Sequence, residues 1–147
     1  MLRRLRILTA STLLVLSGVF LGAVAPAAAA CSTTSITLYE DNSGGGDSIT
    51  KCVNVPSLTA VPHTQSGICA AVLKFDDNWN DCVNSFRMTL SSTKCLALYI
   101  HANYSGTFSQ TLHSGPQTNT LVNIQHPNSD ALSSFKFFNK TGGTCVL

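Results

Sequence analysis

The side chains that could do chemistry are concentrated in two six-residue stretches, Asn80-Asp81-Cys82-Val83-Asn84-Ser85 and Ser129-Asp130-Ala131-Leu132-Ser133-Ser134. Each is followed by a phenylalanine, Phe86 and Phe135. Carboxylates, carboxamides and hydroxyls are the donors of a hard cation such as calcium, which takes six to eight oxygens at about 2.3–2.6 Å. The same side chains also bond nearby backbone N–H groups in Asx-turns and strand caps. On the residues alone both readings stand open. Other chemistry has little to work with. His63, His101, His113 and His126 are scattered, form no H-E-x-x-H, and read as surface or turn residues. No G-x-S-x-G marks a nucleophile. The acids sit in turns rather than as the cleft pair that glycoside hydrolysis needs. Asp76-Asp77-Asn78 reads as a solvated loop, and Trp79, the only tryptophan, as a plug at one end of a core. The chain is expected not to be an enzyme.

The cysteines and the N-terminus set the compartment. Arg3, Arg4 and Arg6 precede an apolar run from Ile7 to about Val24, which ends in Ala-Pro-Ala-Ala-Ala-Ala at residues 25–30. Small residues at Ala28 and Ala30 fit signal-peptidase cleavage. Residues 1–30 are therefore expected to be a signal peptide, and residues 31–147 a single secreted domain. A cysteine directly after small residues, as Cys31 is, is also the position of a bacterial lipid anchor, although Ala28 stands where leucine is usual. A membrane is an expected partner only if Cys31 carries lipid. Of nine basic residues, three lie in the first 30, and all seven acidic ones lie after it. The exported chain keeps six basic against seven acidic groups, a net charge of −1. That balance excludes the basic surface that nucleic acid would require. Cys31, Cys52, Cys69, Cys82, Cys95 and Cys145 all fall in the exported part. Six cysteines in a short exported domain read as a disulfide framework, with about 15 possible pairings and no basis in sequence for choosing. No C-x-x-C is present, which argues against zinc ribbons and thioredoxin-like chemistry.

The elements that must position the two polar stretches are strands. Ser35–Tyr39, Ser85–Leu90 and Ser134–Phe138 alternate polar and apolar residues, and Leu96–Ile100 is a more continuous candidate. Asn42–Gly46, Asn103–Gly106 and Ser114–Pro116 carry turn residues. Ile68–Phe75 is readable as a helical turn or a strand, and no longer helical period occurs. The pattern repeats. Ile36-Thr37-Leu38-Tyr39 matches Leu96-Ala97-Leu98-Tyr99, with a glycine seven residues after each tyrosine, Gly46 and Gly106. The polar stretches are the later members of the same repeat. Each half reads as a four-stranded Greek key, and two such halves predict a two-sheet sandwich.

With these residues in place, the chain resembles a βγ-crystallin domain over nearly all of residues 35–138. The family opens each half with an aromatic, an acid, then an aromatic and a glycine at offsets five and seven, and a serine near offset nine. Tyr39, Glu40, Gly46 and Ser48 match in the first half, with Gly44 in the aromatic's place. Tyr99, Tyr104 and Gly106 match in the second, where Ile100 replaces the acid and Ser109 falls one residue late. The polar stretches resemble the family's calcium motif, departing from it at Asn84 and at Ser129. The resemblance implies an all-β, two-sheet Greek-key sandwich of βγ-crystallin type, here stabilised by disulfides. It also implies two calcium sites that share ligands between the halves. Asp81 and Asp130 would supply carboxylates, Ser133 and Asn84 neutral oxygens, and Asn80 and Ser129 the leading positions. Backbone carbonyls near the motifs and after the hairpin tyrosines would complete the shells.

The expected function is an extracellular binding or structural module with calcium as its partner. The alternative is an inhibitor of an extracellular metalloprotease, or a killer-toxin-like protein, since small secreted crystallin-like proteins resemble both. The first half exceeds the second by eleven residues between the hairpin tyrosine and the final strand. That excess is read as an insertion around Val53–Ile68, and Asn54–Gly67 as the candidate inhibitory loop.

Overall fold

The computed structural model describes Cys31 and residues 33–63, 78–106, 112–125 and 128–147. The expected signal peptide, Ile68–Phe75, Asp76, Asp77, Cys69, Ser109 and His126 lie outside the described residues. Seven strands form: β1 Ser35–Tyr39, β2 Ser48–Lys51, β3 Ser85–Leu90, β4 Lys94–Tyr99, β5 Leu112–Ser114, β6 Gln117–Asn123 and β7 Ser134–Asn139. No α-helix occurs among the described residues. Two antiparallel sheets result, one ordered β2-β1-β3-β6 and the other β5-β4-β7.

Alternation decides which face each strand buries. In β1, Ile36 and Leu38 point into the core and are fully buried. In β3, Phe86, Met88 and Leu90 do the same, while Arg87 and Thr89 face outward. β4 is buried on both faces: Leu96 and Leu98 enter the core, Cys95 is disulfide-bonded, and Tyr99 is covered by the Tyr104 ring at 5.9 Å. That double burial is why β4 reads as a continuous apolar run rather than an alternating one. β7 brings Phe135 opposite Leu98 and Phe137 opposite Leu96.

The sheets are joined by exchange. β6 belongs to the second half yet pairs with β3 of the first. In return Val55, from the first half, pairs with Phe135 of β7 through reciprocal N–H to O bonds of 3.0 and 3.1 Å. Each half thus contributes to the other half's sheet, the second through the strand β6 and the first through the single bridge at Val55. This corrects one sequence expectation. Across its described part, the segment after Val53 is not a surface insertion. Val55, Leu58 and Val61 are buried, Leu58 sits in a short 3₁₀ turn of Leu58–Ala60, and the Leu58 N–H bonds Ser133 O at 2.8 Å. The apolar residues recur at intervals of three because the segment turns as it crosses the core edge.

Cys31 pairs with Cys52 and Cys95 with Cys145; Cys82 is also disulfide-bonded. These bonds place the folded chain in an oxidising environment. The first tethers the start of β1 to the end of β2, and the second ties the C-terminal segment to β4.

Each hairpin folds back over its own sheet and turns on a glycine with positive φ, Gly46 at 69° and Gly106 at 72°. At Gly106 a Cβ would lie 2.6 Å from Ile100 Cγ1 and 2.7 Å from His101 Cδ2. Gly142 has a similar φ of 59° but nothing within 4 Å of its Cβ position. Gly142→Ala is expected to cost only the left-handed backbone penalty of about 1–2 kcal/mol. Gly106→Ala adds a steric clash and should lower the urea midpoint clearly further. Equal midpoints for the two variants would show that the hairpin does not need the close approach.

Candidate metal centre

The two polar stretches meet where the halves cross. Both aspartates adopt the left-handed conformation, Asp81 at φ 58° and Asp130 at φ 57°. Short polar residues visit that region because the side chain bonds locally. Backbone bonds then cross-link the corners: Asp81 N–H to Leu132 O at 3.2 Å and Asp130 N–H to Val83 O at 3.3 Å. Each motif is also tied to its own hairpin. Asn84 N–H bonds Tyr39 O at 3.0 Å, and Ser133 N–H bonds Tyr99 O at 2.9 Å. The next serine of each motif, fully buried, clamps the folded hairpin. Ser85 Oγ donates to Asp41 O and accepts from Gly44 N–H, while Ser134 Oγ donates to His101 O and accepts from Tyr104 N–H.

This geometry brings the expected ligands together in two crossed sets. One set holds Asp81 from the first half with Ser133 and the Ile100 carbonyl from the second. Ser133 Oγ donates to Ile100 O at 2.8 Å and approaches Asp81 Oδ1 at 3.3 Å. The other set holds Asp130 from the second half with Asn84 and the Glu40 carbonyl from the first. Asn84 Nδ2 donates to Glu40 O at 2.7 Å and to Asp130 Oδ1 at 2.8 Å. The two carbonyls follow the hairpin tyrosines. Asn80 stands beside the first set, its Nδ2 donating to Asp81 Oδ2 at 2.8 Å. Ser129 is half-buried in the turn leading into Asp130.

The sets differ chemically. In the Asp81 set a hydroxyl bridges the carbonyl and the carboxylate, and it can rotate its proton away to offer a lone pair. In the Asp130 set an amide NH₂ bridges the same two groups. It holds both oxygens as a cation would and presents no lone pair to an ion. Burial pushes the Asp130 carboxyl above its ordinary value of 3.8; the Asn84 hydrogen bond pulls it back, and the nearby Asp81 charge raises it further.

Two sequence expectations change here. His63 is not a surface residue: its side chain is 2% exposed, and its ring lies 4.8 Å from that of Trp79. His113 packs edge-on against Phe86 at 5.3 Å rather than lying on the surface. Across the described part of the expected loop, Val55, Leu58, Val61 and His63 point inward, while Asn54, Pro56, Thr59, Ala60 and Pro62 are exposed. Trp79 is 2% exposed, the core plug that was expected. His63 also belongs to a cluster the sequence did not reveal, with Glu40 and Asp47.

No family model matches the chain, and no curated protein matches it. Solved structures do. One is described as the evolution of the eye lens βγ-crystallin domain fold: 19% identical, TM-score 0.48, covering 75% of this chain and 91% of that one. A βγ-crystallin domain from Clostridium beijerinckii is 19% identical with TM-score 0.45, covering 71% and 97%. A βγ-crystallin from Ciona intestinalis is 23% identical with TM-score 0.40, covering 69% and 96%. The two antiparallel sheets, β2-β1-β3-β6 and β5-β4-β7, are the all-β, two-sheet sandwich expected from the internal repeat.

A raised carboxyl pKa has a defined effect on stability. As pH rises above 3.8 the unfolded carboxyl ionises first, so the stability Asp130 contributes is greatest below that pH and falls until the folded group has also ionised. Without metal, Asp130→Asn should therefore raise the thermal midpoint at neutral pH relative to its effect in acid. A lower midpoint at neutral pH than in acid, compared with the parent chain, would contradict this.

Proposed function

We propose that this chain is a secreted, disulfide-stapled binding and structural module that takes calcium at the crossed corners between its two Greek keys. The observation that carries this reading is the convergence of a carboxylate, a neutral side-chain oxygen or amide and a hairpin carbonyl, contributed by both halves, at each corner. The donors fit a hard cation in type. At one corner Asp81, Ser133 and the Ile100 carbonyl would hold the ion. At the other, Asp130, Asn84 and the Glu40 carbonyl would hold it only after the Asn84 amide turns its oxygen inward and gives up two hydrogen bonds. The corners are therefore unequal, with the Asp81 corner the tighter. With roughly one carboxylate apiece, both belong in the weak extracellular range of about 10⁻⁴–10⁻³ M. Calcium here acts as a bolt. It replaces hydrogen bonds that cross between the halves with stronger ionic ones, so its effect is on stability rather than on turnover.

Calcium bound only to the native state adds RT ln(1 + [L]/Kd), about 0.4–1.4 kcal/mol at about 1 mM calcium for a Kd of about 10⁻³–10⁻⁴ M. The thermal midpoint should rise by several degrees in millimolar calcium and return when a chelator is added. In calorimetry Asp81→Ala should abolish the tighter event. Asn84→Ser should strengthen the weaker one, because a hydroxyl replaces the amide. An unchanged midpoint in millimolar calcium would remove the proposal. Weaker binding in Asn84→Ser would remove the assigned inequality.

A further inference from the structure

We infer that Glu40, Asp47 and His63 form a second metal site, separate from the calcium corners and suited to a divalent transition metal such as zinc. The three donors come from the residue after β1, the residue before β2 and the segment after the Leu58–Ala60 turn, and their ligand atoms all lie within 4.8 Å of one another. The hairpin fixes the two acids. Glu40 N–H bonds Asp47 O at 3.2 Å, and Asp47 N–H bonds Glu40 Oε2 at 3.2 Å. That second bond holds one carboxylate oxygen and leaves the other aimed inward. Glu40 Oε1 is buried and faces the His63 imidazole at ion-pair distance. His63 Nε2 lies 2.9 Å from it and 3.8 Å from Asp47 Oδ2.

His63 is held from behind. The Trp79 N–H bonds Val61 O at 3.1 Å, Pro62 pairs with Asn78, and the Trp79 ring lies tilted against the imidazole. The imidazole therefore meets the carboxylates already oriented, at 2% exposure, while Asp47 at 28% leaves an approach from solvent. Around a tetrahedral zinc with bonds near 2.0–2.2 Å, donor atoms stand about 3.3–3.5 Å apart. The observed 2.9 and 3.8 Å bracket that spacing. One imidazole with two carboxylates suits zinc, copper or nickel better than calcium, whose shell is built from oxygen. A dication also balances the two carboxylates against a neutral imidazole. The side chain of Glu40 serves this site, while its carbonyl faces the calcium corner.

The only tryptophan is in contact with the proposed ligand, which supplies the readout. The purified, disulfide-intact protein is titrated with zinc in a calorimeter. In parallel, Trp79 fluorescence is followed as copper(II) is added, with zinc as competitor. We expect one zinc per chain, copper quenching that only a large excess of zinc weakens, and no displacement of zinc by millimolar calcium. His63→Ala and Glu40→Gln should each weaken binding by roughly tenfold or more, since even outer-shell losses cost about 10–100-fold. Thermal scans report whether each variant folds, and Asp47→Asn, the most exposed ligand, stands in if either does not. Absence of zinc heat and copper quenching would overturn the inference, leaving the cluster as an ion pair. So would unchanged affinity in folded variants, or stoichiometric displacement of zinc by calcium. Calcium binding at the corners survives the first two of these outcomes.

Discussion

The molecule depends on an exchange: each half adds backbone pairing to the other half's sheet. Val55 closes the second sheet and β6 extends the first. Neither half can bury its core residues alone, so the halves must fold as one unit. The corners where Asp81 and Asp130 turn left-handed are the consequence. At each corner the chain leaves one half's turn and enters that half's last strand, and there the other half's backbone is within hydrogen-bond reach. The polar side chains at these points face across the seam because the left-handed turn leaves no other direction.

Repetition made most of this legible. β1 and β3 have the bounds that alternation predicts, and β7 extends one residue further. The two polar stretches, read as equivalent, occupy equivalent corners and bond the carbonyls after the two hairpin tyrosines. What alternation could not show was any element whose side chains straddle both environments. β6, Gln117–Asn123, lies at a sheet edge with both faces partly open, so its polar sequence carries no period. The Val53–His63 segment has two prolines and no alternation, and it looked like an insertion. Its apolar residues at Val55, Leu58 and Val61 were the available signal. The Glu40–Asp47–His63 cluster needed that same segment folded inward, so it was out of reach for the same reason. Sequence could not choose the disulfide pairs either, since pairing follows from which strands become neighbours.

The staples and the seam divide the work of stability. Closing the loops of 21 and 50 residues stabilises by about 3 and 4 kcal/mol on the chain-entropy view. Those bonds act within the β1–β2 hairpin and between β4 and the C-terminal segment. They do not cross from the first half to the second. The seam between the halves is left to the core, the exchanged strands and the polar corners. Asn84 shows how one corner manages without an ion: its NH₂ bridges a carbonyl and a carboxylate that would otherwise face each other as bare acceptors. A hydroxyl at Ser133 bridges the other corner more loosely, at 3.3 Å to Asp81. On the proposed reading, the Asn84 amide that completes this corner as a hydrogen-bonded joint weakens it as a cation site.

The central claim is that an ion would sit between the halves rather than within either. Amide chemical shifts followed during a calcium titration test it most directly. The account predicts that the amides flanking Asp81, Ile100 and Ser133 move together at lower calcium, and those flanking Glu40, Asn84 and Asp130 move together at higher calcium. Perturbations confined to residues of one half, or centred away from both corners, would contradict it.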